Sequence, residues 1–257
     1  MPLYRQPCAC EVISPARFLL RREQRRKEIM DKTSTTSRKR IDTKELTMLA
    51  LLAALAYVVM FLSKQIPVNV LGFLNFDLKD VIVCITGFLF GPLGALAVSV
   101  VVSFVEMITI SSTGIWGFIM NVLSTCALAC TAAWFYQRKR TMKNAIVGLV
   151  IGVLLMTALM ILWNYLITPI YMKMPRAAVA KLLVPTFLPF NLIKGGINAT
   201  LTILLYKPVV TALRKAKLVK PSSGSNQGGK KKVGVLIVAA VLLVTFILLA
   251  LVLAKVI

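Results

Sequence analysis

The chain has 257 residues, of which 58% are hydrophobic and only 16% charged, and its mean hydropathy is +0.82. Soluble domains run at roughly 45–50% apolar and about 25% charged, so this composition excludes a soluble globular domain and points to a polytopic membrane protein. A net charge of +22 with no His removes every mechanism that needs imidazole, from Ser–His and Cys–His nucleophiles to His-ligated zinc.

Residues 1–43 read as a basic, disordered cytoplasmic leader. Residues 1–29 hold seven basic residues and three acids, and Phe18-Leu19-Leu20 is too short for a signal-peptide core of about 7–15 apolar residues. Met30 opens a natural start, so residues 1–29 are expected to be a mis-assigned start or a disordered leader.

Charge-free runs then mark the spans, since a helix crossing needs about 20 apolar residues. Leu46–Ser63 has 18 residues, Val81–Val105 has 25, Met107–Gln137 has 31, Asn144–Met172 has 29 and Val233–Ala254 has 22. Leu182–Ile193 and Gly195–Tyr206 form one more span, interrupted only by Lys194. Gly91-Pro92 punctuates the second run. Counting basic residues on the inner side decides whether the chain turns there. A turn gives spans near 76–90, 93–110 and 115–136, and places 24 Lys and Arg inside against 6 outside. Without it the split is 16 against 14. The sequence therefore predicts an all-α bundle: a six-span core over residues 44–218, a flexible basic linker over 219–232, and an extra C-terminal span over 233–257. Gly224-x-x-x-x-Gly229-Lys230 in the linker imitates a phosphate loop, but Lys231 stands where Ser or Thr belongs and no strand precedes it.

The remaining chemistry is sparse. Cys84, Cys126 and Cys130 lie in apolar runs and read as small hydrophobes. Six of the nine acids precede residue 46; the others are Asp77, Asp80 and Glu106. No metal ligand set follows from them, and no catalytic residue is assigned. Asp77 and Asp80 are expected to cap the next helix, and Glu106 is given no role.

Ionisable groups inside spans cost roughly 2.5–3.5 kcal/mol on insertion scales and mark function by default. Lys194 is the clear case. Asn191, Lys194 and Asn198 recur at i, i+3 and i+7, and Thr202 continues them along one helical face. Lipid cannot satisfy such a seam, so it needs a ligand, or else partner helices with Lys194 snorkelling outward. Asn164, between Trp163 and Tyr165 near the end of the fifth span, offers an amide and aromatics at one level, as a flat heteroaromatic ligand requires. Trp116 and Asn121 are placed to line the same outer cavity. Ala50-x-x-x-Ala54 gives the first span a small-residue face that suits internal packing or docking to another subunit.

The sequence resembles the membrane-embedded substrate-binding subunits of energy-coupling factor (ECF) vitamin transporters, and among them the riboflavin-specific branch. The motifs are Asn164-Tyr165-x-x-Thr168-Pro169-x-Tyr171-Met172 and Pro189-Phe190-Asn191-Leu192-Ile193-Lys194-Gly195. Supporting them are Phe76-Asp77-Leu78-Lys79-Asp80, Phe90-Gly91-Pro92, Ser112-Thr113-Gly114 and Gly117-Phe118-Ile119-Met120-Asn121. The resemblance covers about residues 44–218; the leader, Ile115-Trp116 and the seventh span depart from it. It implies a six-helix core that captures riboflavin from outside without chemistry or cofactor. It also implies a multi-pass subunit of the bacterial cell membrane with its N-terminus inside, partnered by a membrane coupling subunit and two cytoplasmic ATPases. The implied flavin contacts are Asn164, Asn191 and Lys194, with the first outer loop, Val70, Leu71, Gly72, Phe73 and Leu74, closing the site; Asn121 and Tyr165 are added from their position. Ala50 and Ala54 are the implied docking face. The rivals are a subunit for a different vitamin, a self-contained secondary transporter, an intramembrane enzyme and, from charge alone, a nucleic-acid binder. The inner loops already account for the charge, so no nucleic acid is expected.

Overall fold

The computed structural model describes residues 43–65, 69–70, 74–111, 113–215 and 229–253. Helix α1 spans Thr43–Lys64. A two-residue antiparallel ribbon follows, β1 (Asn69–Val70) against β2 (Leu74–Asn75). Next come α2 (Lys79–Phe90), α3 (Pro92–Thr109), α4 (Gly114–Arg138) and α5 (Met142–Leu166). Two short helices, α6 (Thr168–Met172) and α7 (Arg176–Leu182), lead through a π-helical turn at Leu183–Phe187 into α8 (Leu188–Lys215). Helix α9 (Gly229–Leu253) ends the described chain. The leader lies outside the described residues, and α9 begins four residues before the boundary expected from charge.

Among the described residues six helices are long and apolar enough to cross a membrane. The second span expected near 76–90 is instead the 12-residue α2, about 18 Å long and shorter than the roughly 30 Å hydrocarbon core. It tolerates that length because it does not face lipid: all residues from Lys79 to Phe88 are buried. Turn chemistry ends it as the sequence predicts. Gly91 has φ +93°, a region open to glycine but strained for other residues, and Pro92 opens α3 where its missing N–H costs nothing.

The core gathers Leu52 and Ala56 of α1, Val83 and Phe88 of α2, Val98 and Val102 of α3, Leu128 and Ala132 of α4, and Leu149 and Met156 of α5. The α4–α5 crossing depends on Gly148 and Gly152, one turn apart. A Cβ at Gly152 would lie 2.7 Å from the Leu128 carbonyl oxygen, and one at Gly148 would lie 3.0 Å from that of Ala132. In lipid no hydrophobic force draws helices together, so close backbone approach supplies the attraction. Gly152→Val is therefore expected to destabilise the fold by about 1–3 kcal/mol through overpacking. Gly234→Ala, with open space around it, should be neutral or slightly stabilising. Thermal unfolding in detergent measures the contrast.

Candidate functional site

Helix α8 turns its polar seam into the bundle. Asn191, Lys194, Asn198 and Thr202 are all buried, between 0% and 8% exposed, in a stretch (191–205) otherwise made of Ile, Leu and small residues. Part of the seam is satisfied locally: Asn191 Nδ2 donates to the Phe187 carbonyl at 2.7 Å, and Thr202 Oγ1 donates to that of Asn198 at 2.6 Å. The π-turn just before it contains Pro185 and is followed by Pro189. Such turns absorb an extra residue where the helical ladder is interrupted, often at functional sites.

Lys194 does not snorkel. Its Nζ lies 2.9 Å from Asp77 Oδ2, joining α8 to the segment between β2 and α2. Asn198 Nδ2 donates to the Asp77 backbone carbonyl at 3.1 Å. From Asp77 the charges continue in alternation. Lys79 Nζ lies 3.4 Å from Asp77 Oδ2 and 3.2 Å from Glu106 Oε2, and Glu106 Oε1 pairs with Lys64 at the end of α1. Beside this chain, Thr125 Oγ1 of α4 donates to Asp80 Oδ1 at 2.6 Å. The capping expectation for the two aspartates is thus corrected: α2 has no side-chain cap, and both carboxylates are spent on buried partners. The cause is burial, with Asp77 at 3%, Lys79 at 0% and Asp80 at 0% exposure. A charge removed from water must find an opposite charge or a donor. Spacing alone gave no sign that Lys64, Lys79 and Glu106 belong to the site. The available signal was that every carboxylate after residue 45 must answer to the few lysines at the same end of the bundle.

Among the described residues Asp77 Oδ1, Asp80 Oδ2 and Asn198 Oδ1 are buried acceptors without a hydrogen-bond partner. The site therefore presents ammonium and amide donors beside free acceptors, a set that suits a neutral ligand rich in hydroxyl and imide groups.

Asn164 is buried near the end of α5, where its Nδ2 donates to the Met160 carbonyl at 2.7 Å and its Oδ1 accepts from Thr168 at 2.9 Å. Tyr165, one residue on, is 43% exposed and so lies on the outer side of α5. Trp116 is 38% exposed, and Asn121 is half-buried. Among the loop residues expected to close the site, Leu71, Gly72 and Phe73 lie outside the described residues; only the backbones of Val70 and Leu74, in the ribbon, are described. Ala50 and Ala54 are exposed on α1 together with Leu51, Leu55 and Val58, whereas Ala53 and Ala56 face the core.

The Asp77–Lys194 pair is expected to show strong coupling. Asp77→Asn or Lys194→Met alone should destabilise the fold by about 3–5 kcal/mol, because each strands a buried charge. The double variant should cost clearly less than the sum. A double-mutant cycle on unfolding in detergent checks this.

Three comparisons bear on this arrangement. A family model described as "ECF transporter, substrate-specific component" matches residues 44–206. The riboflavin transporter RibU of Staphylococcus aureus (strain TCH60) is 30% identical over 178 residues, covering 67% of this chain and 93% of that protein. The riboflavin transporter FmnP of Bacillus subtilis (strain 168) is 28% identical over 187 residues, covering 68% and 98%. A solved structure described as "Structure and mechanism of the S component of a bacterial ECF transporter" aligns with TM-score 0.56 and 29% identity over 66% of this chain and 96% of that one. With more than half its length matched, and with the short α2, the turn at Gly91-Pro92 and the inward seam of α8 inside the matched region, the chain belongs to the substrate-specific components of ECF transporters.

Proposed function

We propose that this chain captures riboflavin from the outer side of the cell membrane and presents it to an ECF coupling subunit driven by two cytoplasmic ATPases. The observation that carries this reading is the buried seam Asn191–Lys194–Asn198, set against the buried Asp77 and with Asn164 on α5, in a chain whose relatives are named riboflavin transporters. The pyrimidine edge of an isoalloxazine alternates acceptors with a donor. An Asn amide answers both, and the ribityl hydroxyls suit an ammonium–carboxylate pair. In this reading Lys194 and Asp77 share their bond with the ligand rather than give it up, so neither charge is stranded. Val70–Leu74 would cover the flavin from the first outer loop.

The distribution of basic residues supports an N-terminus on the cytoplasmic side. It also supports a division into leader, core (44–218), linker and additional helix. The chain does no chemistry in this reading: the family is one of transporter components, and ATP is hydrolysed by partners. The exposed face of Ala50 and Ala54 is the place for the coupling subunit. Its small side chains let a partner helix approach closely, and it remains uncovered in the monomer.

Two measurements test this reading. The purified protein should bind riboflavin and quench its fluorescence, and Asn191→Ala or Lys194→Ala should each weaken binding by about 1–3 kcal/mol, the cost of unpaired buried groups. Unchanged affinity in both variants would remove the assignment. Ala50→Leu combined with Ala54→Leu should leave that affinity intact while abolishing riboflavin uptake in cells that supply the coupling subunit and ATPases. Normal uptake by the double variant would locate docking elsewhere.

A further inference from the structure

Helix α9 lies beyond residue 206, where the family match ends. From Val233 onward its composition is apolar apart from Thr245, yet its contacts are not uniform. Ala239 and Ala250 are buried, and Leu243, Phe246 and Leu253 are half-buried. These five recur at intervals of four, three, four and three residues, the spacing of a helix–helix seam. Most of the other large residues, among them Ile237, Val241, Val244 and Leu248, are exposed, as lipid-facing residues of a spanning helix would be.

That seam packs on the outward side of α8, opposite the polar one. Ala250 joins Ile193 and Ile197 in one buried cluster, with Phe246 and Leu243 against it. The closest fit is at Gly196, where the Phe246 ring carbons Cζ, Cε2 and Cε1 lie 2.6, 2.7 and 2.9 Å from the position a Cβ would take. Any side chain there would push the ring away. The preceding glycine serves the other neighbour: a Cβ at Gly195 would lie 2.9 Å from Val153 and 3.0 Å from Met156 of α5. At the level of Lys194, α8 is thus held on two sides by glycine contacts one residue apart.

The tip of α9 reaches further. Leu253 packs on the Ile193–Ile197–Ala250 cluster together with Phe76 and Leu78, the two neighbours of Asp77. It also packs on the cluster of Val179, Phe187 and Phe190 around the π-turn that precedes the seam. Among the described residues none of α9 bonds to a polar group of the site, but α9 packs on the hydrophobic clusters against which the neighbours of Asp77 and the residues beside Lys194 also pack.

We propose that α9 is a positioning helix for the substrate seam, a role that rests on the flavin reading above. Phe246 in the Gly196 notch fixes the rotation and height of α8, and Ala250 and Leu253 complete the cluster on which Phe76 and Leu78 pack, so that Lys194 stays on Asp77 and the seam stays aimed inward. An α-helix turns 100° per residue, so a small rotation of α8 swings a side chain as long as lysine out of register with a carboxylate 2.9 Å away. The contribution falls on retention of ligand more than on its capture, because α9 shapes the packing behind the seam and its charges, Lys230–Lys232, lie at the end of the helix away from Phe246 and Leu253.

The full chain in lipid nanodiscs serves for the test, with two readouts. The first is the riboflavin off-rate, followed by recovery of flavin fluorescence. Phe246→Ala and Gly196→Ala should raise it about tenfold, equivalent to about 1.4 kcal/mol. Phe246→Leu should fall between, and Val241→Ala on the lipid face should match the wild type. The second readout needs no ligand: residue-resolved labelling of Lys194 with an amine-reactive reagent should be slow in the wild type and faster in Phe246→Ala and Gly196→Ala. An off-rate in Phe246→Ala equal to the wild type overturns the proposal, as does equal protection of Lys194. If the wild type binds no riboflavin, the flavin reading falls, and the labelling alone decides whether α9 positions the Lys194–Asp77 pair.

Discussion

The ion pair between Lys194 and Asp77 is the contact on which the architecture of the site rests. It joins residues 117 positions apart and is one bond in a sequence of alternating charges from α8 through Asp77, Lys79 and Glu106 to Lys64. Each member is costly alone and tolerable only in company. Three lysines and two carboxylates form the chain, and the carboxylate of Asp80 lies beside it. The cluster thus approaches neutrality although the whole chain carries +22. The surplus positive charge lies elsewhere, most of it in residues 1–44, 138–143 and 207–232 of the sequence.

The unusual helix α2 follows from the same constraint. A helix of 12 residues cannot satisfy a bilayer by itself, but it can bring charged residues into the bundle when its neighbours hold the partners. α2 carries Lys79 and Asp80 in its first turn, and α3, α4 and α8 supply Glu106, Thr125 and Lys194 around them. Its far half is apolar and packs Phe88 against Tyr136 and Tyr206, with ring centroids 4.7 and 5.6 Å away. One short element therefore serves as polar centre at one end of the bundle and apolar plug at the other.

Small residues divide the labour of packing. Gly148 and Gly152 bring α4 and α5 together, Gly195 seats α8 against α5, and Gly196 seats α9 against α8. These contacts build the scaffold that a precise substrate site needs. Ala50 and Ala54, by contrast, are small residues left exposed among the described residues, and that difference in burial, rather than any difference in sequence pattern, separates them from the small residues that pack the bundle.

Charge-free runs and the basic-residue count determined the six long apolar helices, the turn at Gly91-Pro92 and the seam on α8, though not the shortness of α2 or the short helices α6 and α7, because hydrocarbon imposes length and polarity rules that a sequence must obey residue by residue. The separation of Asn164, which is buried, from its exposed neighbour Tyr165 was not legible, since adjacent residues differ by a rotation that only packing orients. Nor was the pairing of Lys194 with Asp77: ion pairs across more than a hundred residues depend on which helices become neighbours, and no local pattern encodes that. Helix α9 is the extreme case. Nearly every one of its side chains is apolar, so its sequence determined that it belongs in a membrane and nothing more. Which five of its residues form a seam, and that they close on Gly196 behind the polar face of α8, was decided by shape, because in lipid it is the fit between surfaces, and not their polarity, that selects a partner.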